Sequence, residues 1–195
     1  IILFAFIISF LKSLNEFLNA ILISTGIILI NVLAKNLTAL HFNIEIQHQL
    51  WHLQRYGWYE RSYFKKPFPI GIILPFLLVW LSYPSGFLKC FTFLQFKARP
   101  SITRVSKKTG IYRFSELTEL DLAWIGASGI FACLALAIIA SLFNLPNLAL
   151  FSSIFSIWNL LPISQLDGSK IFFGSRVLWL VSAILSIIVL IAILL

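Results

Sequence analysis

Asn159-Leu160-Leu161-Pro162-Ile163-Ser164-Gln165-Leu166-Asp167-Gly168 is the stretch whose reading decides the fold. It carries the only carboxylate between Asp121 and the C-terminus, at the end of the apolar run Leu148 to Leu166. An ionisable group at the end of a bilayer-length run points to function, because hydrocarbon does not tolerate idle charge. The plainer reading is a helix end, with Pro162 bending the chain and Asp167-Gly168 turning it.

Composition supports a bilayer setting. The chain has 195 residues, 59% apolar and only 11% charged, and its mean hydropathy is +0.95. A soluble domain of this size has no interior large enough for that much hydrocarbon, so a polytopic membrane protein is expected. Residue 1 is Ile and opens inside an apolar run, which suggests a truncated or processed N-terminus. The formal charge of +8 does not imply nucleic acid, because the basic residues flank apolar segments, as the positive-inside rule requires. Cys90 and Cys133 lie in apolar surroundings without metal-ligand spacing and read as packing residues.

Working outward, spans are expected at Phe17 to Ala34, Leu122 to Phe143, Leu148 to Leu166 and Val177 to Leu195, with the end of another at Ile1 to Leu11. The 122–143 run is rich in Ala, Gly and Ser, which lets helices approach closely in lipid. Between the spans lie a polar loop of about 36–69, a short apolar hairpin or re-entrant unit of about 70–96 turning at Pro84-Ser85-Gly86, and a basic loop of about 97–121. Within the polar loop, Ile44 to Leu50 alternates with period two and reads as a strand. Arg55 to Lys66 is basic and aromatic, like a membrane-interface segment, and Arg55-Tyr56-Gly57-Trp58-Tyr59 and Lys65-Lys66-Pro67 offer contacts to anionic headgroups. Folding 70–96 back on itself puts 35–66, 97–121 and 167–176 on one side, together holding 13 of the 15 Lys and Arg residues. That side is expected to be cytoplasmic. Lys35 and Asp167 then end spans running the same way and lie at similar depth. The fold class is therefore an all-α, polytopic transmembrane bundle, a single membrane domain over 1–195 with a small strand-bearing cytoplasmic loop.

Asn159-x-x-Pro162-x-x-x-Leu166-Asp167-Gly168 resembles the signature of the site-2 protease family of intramembrane zinc metalloproteases. The likeness extends over roughly 17–195, through Lys170-Ile171-Phe172 after the Asp-Gly and Ala39-Leu40-His41-Phe42-Asn43 before the strand. It implies that Asp167 occupies the place of a zinc ligand. Two His and a general-base Glu would then stand on an earlier helix as His-Glu-x-x-His. Such a layout puts two ligands on one helix face, with a carboxylate closing the tetrahedron.

That slot falls here on Asn31-Val32-Leu33-Ala34-Lys35. Asn31 and Lys35 stand where the histidines belong, and Val32 where the Glu belongs. Val cannot move a proton, and a protonated Lys does not bind zinc. The expectation is a non-catalytic member without a cofactor. Its Lys35 ammonium would replace the metal's charge beside Asp167, with Asn31 and Asn159 hydrogen-bonding around the pair. Lys35 reaching to the interface is the alternative. Its partners would be the bilayer and a transmembrane helix of another protein.

A second reading is an active protease with relocated ligands. His41, Glu45, His48 and His52, spaced +4, +3 and +4, would form one stripe on a helix and hold zinc with Asp167. On a strand they divide between two faces. A third reading is a small-solute transporter built on Lys35 and Asp167, although the chain has no internal repeat of the kind many transporters show.

Overall fold

The computed structural model describes residues 14–55, 63–81, 93–101 and 117–195. In chain order the elements are α1 (Leu14–His41), β1 (Ile44–Leu50), β2 (Leu53–Arg55), β3 (Tyr63–Phe68), α2 (Ile70–Leu81), β4 (Leu94–Pro100), α3 (Glu119–Leu142), α4 (Pro146–Asn159), α5 (Asp167–Gly174) and α6 (Arg176–Leu194). The described chain is mostly helical. Among the described residues, three helices are long and apolar enough to cross a membrane: Leu18–His41, Glu119–Leu142 and Arg176–Leu194.

Helix α3 is the hub and packs on α1, α4, α5 and α6. Its sequence explains why. Ala123, Gly126, Ala127, Gly129, Cys133, Ala137 and Ala140 are all buried, so neighbouring backbones come close on several sides. Thr118 caps its start by accepting a hydrogen bond from the Asp121 amide at 3.2 Å, and Glu119 and Asp121 suit the positive end of the helix. Asn144 takes a left-handed φ of 55° just past its end, where Asn is tolerated. Pro146 then opens α4, where its missing N–H costs nothing.

On one side of α3, Ile27, Cys133, Phe151 and Phe155 form a core among α1, α3 and α4. On another, Ala127, Ile130, Leu134, Leu160 and Ile171 pack with Trp179 of α6. Strands β1 and β4 pair antiparallel, with His48 opposite Phe96 and Gln47 opposite Lys97. Ile44 and Phe96 join Ala39 and Ile125 in a core that fastens this ribbon to the ends of α1 and α3. A separate short pair, β2 with β3, precedes α2.

The strand expected at Ile44 to Leu50 is present with those bounds. Other expectations change. The fold is not purely helical. Helix α1 runs past Ala34 through Lys35 to His41, because Lys35 has an interior partner and does not end the span. The expected 148–166 span stops at Asn159 after 14 helical residues. Residues 160–166 are irregular, since Pro162 has no amide with which to continue the ladder. Ser164, with a φ of 53°, turns the chain toward α5, and the Ser169 hydroxyl donates to its carbonyl at 2.8 Å.

Only the first half of the expected 70–96 hairpin is helical in the described residues, as α2. Its second apolar piece leads into β4. Leu94-Gln95-Phe96-Lys97-Ala98-Arg99 alternates with period two, and pairing with β1 decides the outcome. The Pro84-Ser85-Gly86 turn, the segment Ile1 to Leu11, Cys90, residues 56–62 of the aromatic segment and most of the 97–121 loop lie outside the described residues. The described ends of that loop are strand at 97–100 and helix from Glu119.

Candidate functional site: a buried ion pair at the α1–α3–α5 junction

Asn31 and Lys35 are four residues apart, so they share the face of α1 that meets α3. Gly129 is what lets that face close. A Cβ there would lie 2.5 Å from Lys35 Cε and 2.9 Å from Asn31 Nδ2. The Lys35 stem therefore lies across the Gly129 backbone and carries its ammonium to α5. There it donates to Asp167 Oδ2 in an ion pair whose two side chains are wholly excluded from solvent. Lys35 does not reach to the interface.

Asp167 is the first residue of α5, where the helix dipole favours a carboxylate. Its position depends on Gly168, where any Cβ would overlap the Leu160 and Leu161 carbonyls. The ammonium supplies the positive charge that makes a carboxylate tolerable in this interior, and each charge alone would be expensive. Asp167 Oδ1 has no hydrogen-bond partner among the described residues.

Two expected supports are arranged differently. Asn31 donates from Nδ2 to Cys133 Sγ at 3.6 Å, and its Oδ1 has no hydrogen-bond partner among the described residues. Asn159 accepts from the Leu94 amide at 3.1 Å and donates to the Phe155 carbonyl at 2.9 Å. It thus binds the edge of β4 to the end of α4 and does not touch the pair. Val32 is half-buried on α1.

The histidines do not converge with Asp167. His41 is exposed at the end of α1, edge-on to Phe42, and Glu45 is exposed on β1. His48 faces inward, with Nε2 3.0 Å from Asn36 Oδ1. His52 lies beyond the strand, with Nδ1 against the Leu50 carbonyl. The helical stripe is absent because the chain leaves α1 at His41 and is extended from Ile44. Among the described residues, no three His, Cys, Asp or Glu side chains gather as a metal site would require. Burial, followed by the nearby Lys35 charge, holds the His48 imidazole below its ordinary value, against the opposing pull of Asp167.

Lys170 and Phe96 belong to the site and were not singled out by the sequence as site residues. Lys170 Nζ donates to the Phe96 carbonyl and sits 3.4 Å from the Phe96 ring centroid, while Lys35 Nζ is 5.7 Å from the same ring. Cations over an aromatic face are attracted by its quadrupole. The Asp-Gly-x-Lys spacing was the available signal. Lys170 is one turn after Asp167, which carries it past the pair to the strand edge.

Burial pulls the Lys170 ammonium down to about 8, with Lys35 adding to the shift and Asp167 opposing it. The folded state therefore disfavours the charged form. Below pH 8 that penalty is complete, and it is relieved as pH rises from about 8 toward the ordinary Lys value of 10.5. Thermal stability in detergent is expected to rise across that window in the native chain and to stay flat in Lys170→Met. Parallel curves for the two proteins would refute the assignment.

Comparison of the chain with protein-family models, with curated proteins and with solved structures finds no match.

Proposed function

We propose that this chain is a multi-pass membrane protein with a site-2-protease-like core that no longer cleaves peptides and instead holds a transmembrane segment of another protein. Its basic loops face the cytoplasm. The observation that carries the reading is the buried Lys35–Asp167 pair. An ammonium stands against the carboxylate that the resemblance makes a zinc ligand, and Val32 stands where a proton-transferring Glu would be needed. A metal at that carboxylate would have to displace a fully buried cation of like sign. The three long apolar helices and the small residues of α3 support the bilayer setting.

The test uses the full chain purified from membranes and reconstituted with a single-span model substrate. Zinc is measured by elemental analysis, cleavage by gel, and proximity by a photo-crosslinker placed at Leu122. Expected are sub-stoichiometric zinc, no Asp167-dependent cleavage, and crosslinks to the substrate span. Stoichiometric zinc with cleavage abolished by Asp167→Ala would establish the relocated-ligand protease instead. No crosslink at all would remove the holding role.

A further inference from the structure

A cleft of about 570 Å³ opens between the outer edge of β4, the first turn of α3 and the 164–173 segment. Its charge is unbalanced. Lys97 and Arg99 on β4 and Lys170 on α5 line it against the carboxylate of Glu119, with Glu45 of β1 directly across the ribbon from Arg99. Lys97 and Arg99 are exposed and in no ion pair with a described residue. Deeper in, Lys35 and Lys170 share one carboxylate, Asp167, so the interior behind the cleft also carries surplus positive charge. Hydroxyls line the floor at Ser164 and Ser169, and the rim is apolar at Leu122 and Phe173. Phe173 is 72% exposed and offers its ring at the rim.

Each part matches one part of a phospholipid. Two flexible cations and a third, semi-buried one suit a phosphodiester, because charge-assisted hydrogen bonds to phosphate are stronger than neutral ones. Ser and Gln165 side chains suit glycerol or headgroup hydroxyls. The apolar rim suits the upper acyl chain, and it stands at the first turn of α3, the end of a helix long enough to span. With α3 spanning a bilayer, a cleft at its first turn would stand at the headgroup layer.

We infer that the β4–α3–α5 cleft is a binding site for an anionic phospholipid headgroup, with Lys97, Arg99 and Lys170 gripping the phosphate and Phe173 and Leu122 meeting the acyl chain. This inference requires a membrane setting but does not require that the chain hold another protein's helix. It differs from the general attraction of a basic loop to an anionic leaflet, because it assigns the binding to three cations on two elements.

The experiment measures binding of a fluorescent short-chain phosphatidylglycerol to the full chain in neutral detergent, where no partner helix is present. Lys97→Ala/Arg99→Ala is compared with Arg104→Ala/Lys107→Ala, which removes the same charge from the neighbouring loop. Removing two cations at the headgroup is expected to weaken binding about 30-fold, and the loop control no more than about twofold. Glu119→Gln, which removes the opposing carboxylate, is expected to tighten binding several-fold, a gain that misfolding cannot mimic. Inorganic phosphate at equal concentration is expected not to compete, since it lacks the chain that the rim would hold. Equal losses in the two double variants would overturn the site in favour of diffuse attraction. Full competition by inorganic phosphate would show a free-anion site and overturn the lipid assignment. Unchanged affinity in Glu119→Gln would remove the cleft from the argument.

Discussion

Lys35→Met is expected to destabilise the protein by about 3–5 kcal/mol, and Asp167→Leu by a similar amount, because each leaves the other charge buried without its partner. Both side chains are at 0% exposure, so neither survivor reaches water without local unfolding. The double variant Lys35→Met/Asp167→Leu removes both charges and fills the space with apolar atoms. It is expected to lie closer to the native protein than either single variant, since buried pairs often contribute little net stability beyond an apolar pair. Reversible unfolding in mixed micelles measures the four corners of this cycle. Additive losses with no coupling would mean that the two groups do not depend on each other. The loss is large on the scale of a whole domain's stability, about 5–15 kcal/mol, so poor expression of the single variants is part of the expected result.

Gly168→Ala is the second large effect, by a different mechanism. A Cβ at that position would lie 2.0 Å from the Leu160 carbonyl oxygen and 2.2 Å from its carbon. Those are backbone atoms, and the Leu160 oxygen already accepts from Trp179 Nε1 at 2.9 Å. The turn therefore has to move bodily, which moves Asp167 and pulls Trp179 from its acceptor. The expected cost is about 3 kcal/mol, the upper part of the range for overpacking. Gly26→Ala serves as the internal contrast. It lies inside α1 with nothing within 4 Å of its would-be Cβ. Ala there is expected to stabilise by about 0.5–1 kcal/mol, the usual helix-interior difference. Thermal shifts of opposite sign for the two variants are the readout, and a neutral Gly168→Ala would discard the close-approach account.

The pairing of Lys35 with Asp167 was expected because the resemblance puts Lys35 in the slot of a lost ligand to Asp167, and span direction put the two at similar depth. Two ionisable residues, each at the end of an apolar run pointing the same way, have few other places to put their charge. The strand at Ile44 to Leu50 was legible from period-two alternation. Its partner was harder, although Leu94 to Arg99 alternates just as well. Read together with Phe87 to Phe93 it looks like one apolar piece, and only pairing with β1 makes it a strand. The early stop of α4 was visible in Pro162 but outweighed by a hydrophobic run that continues beyond it. The roles of Asn159 and Lys170 were not legible, because both contact backbone groups of β4, and backbone acceptors and donors leave no trace in side-chain pattern. Gly129 was legible only as a small residue. Its use as the bed for the Lys35 stem depends on the crossing of α1 over α3.

The Trp179 bond to Leu160 has a consequence in time. The irregular 160–166 turn exposes carbonyls that a bilayer interior leaves unmet unless protein covers them. The turn meets several of its own, the Ile163 amide donating to Leu161, the Leu166 amide to Ile163 and the Ser169 hydroxyl to Ser164, while the Leu160 carbonyl is met by Trp179, in the last helix of the described chain. A chain made from its N-terminus releases α4 before the residue that covers its Leu160 carbonyl exists. The Leu160 end of the turn is thus completed late, when α6 arrives, and a shortened product ending before Trp179 would carry that carbonyl uncovered.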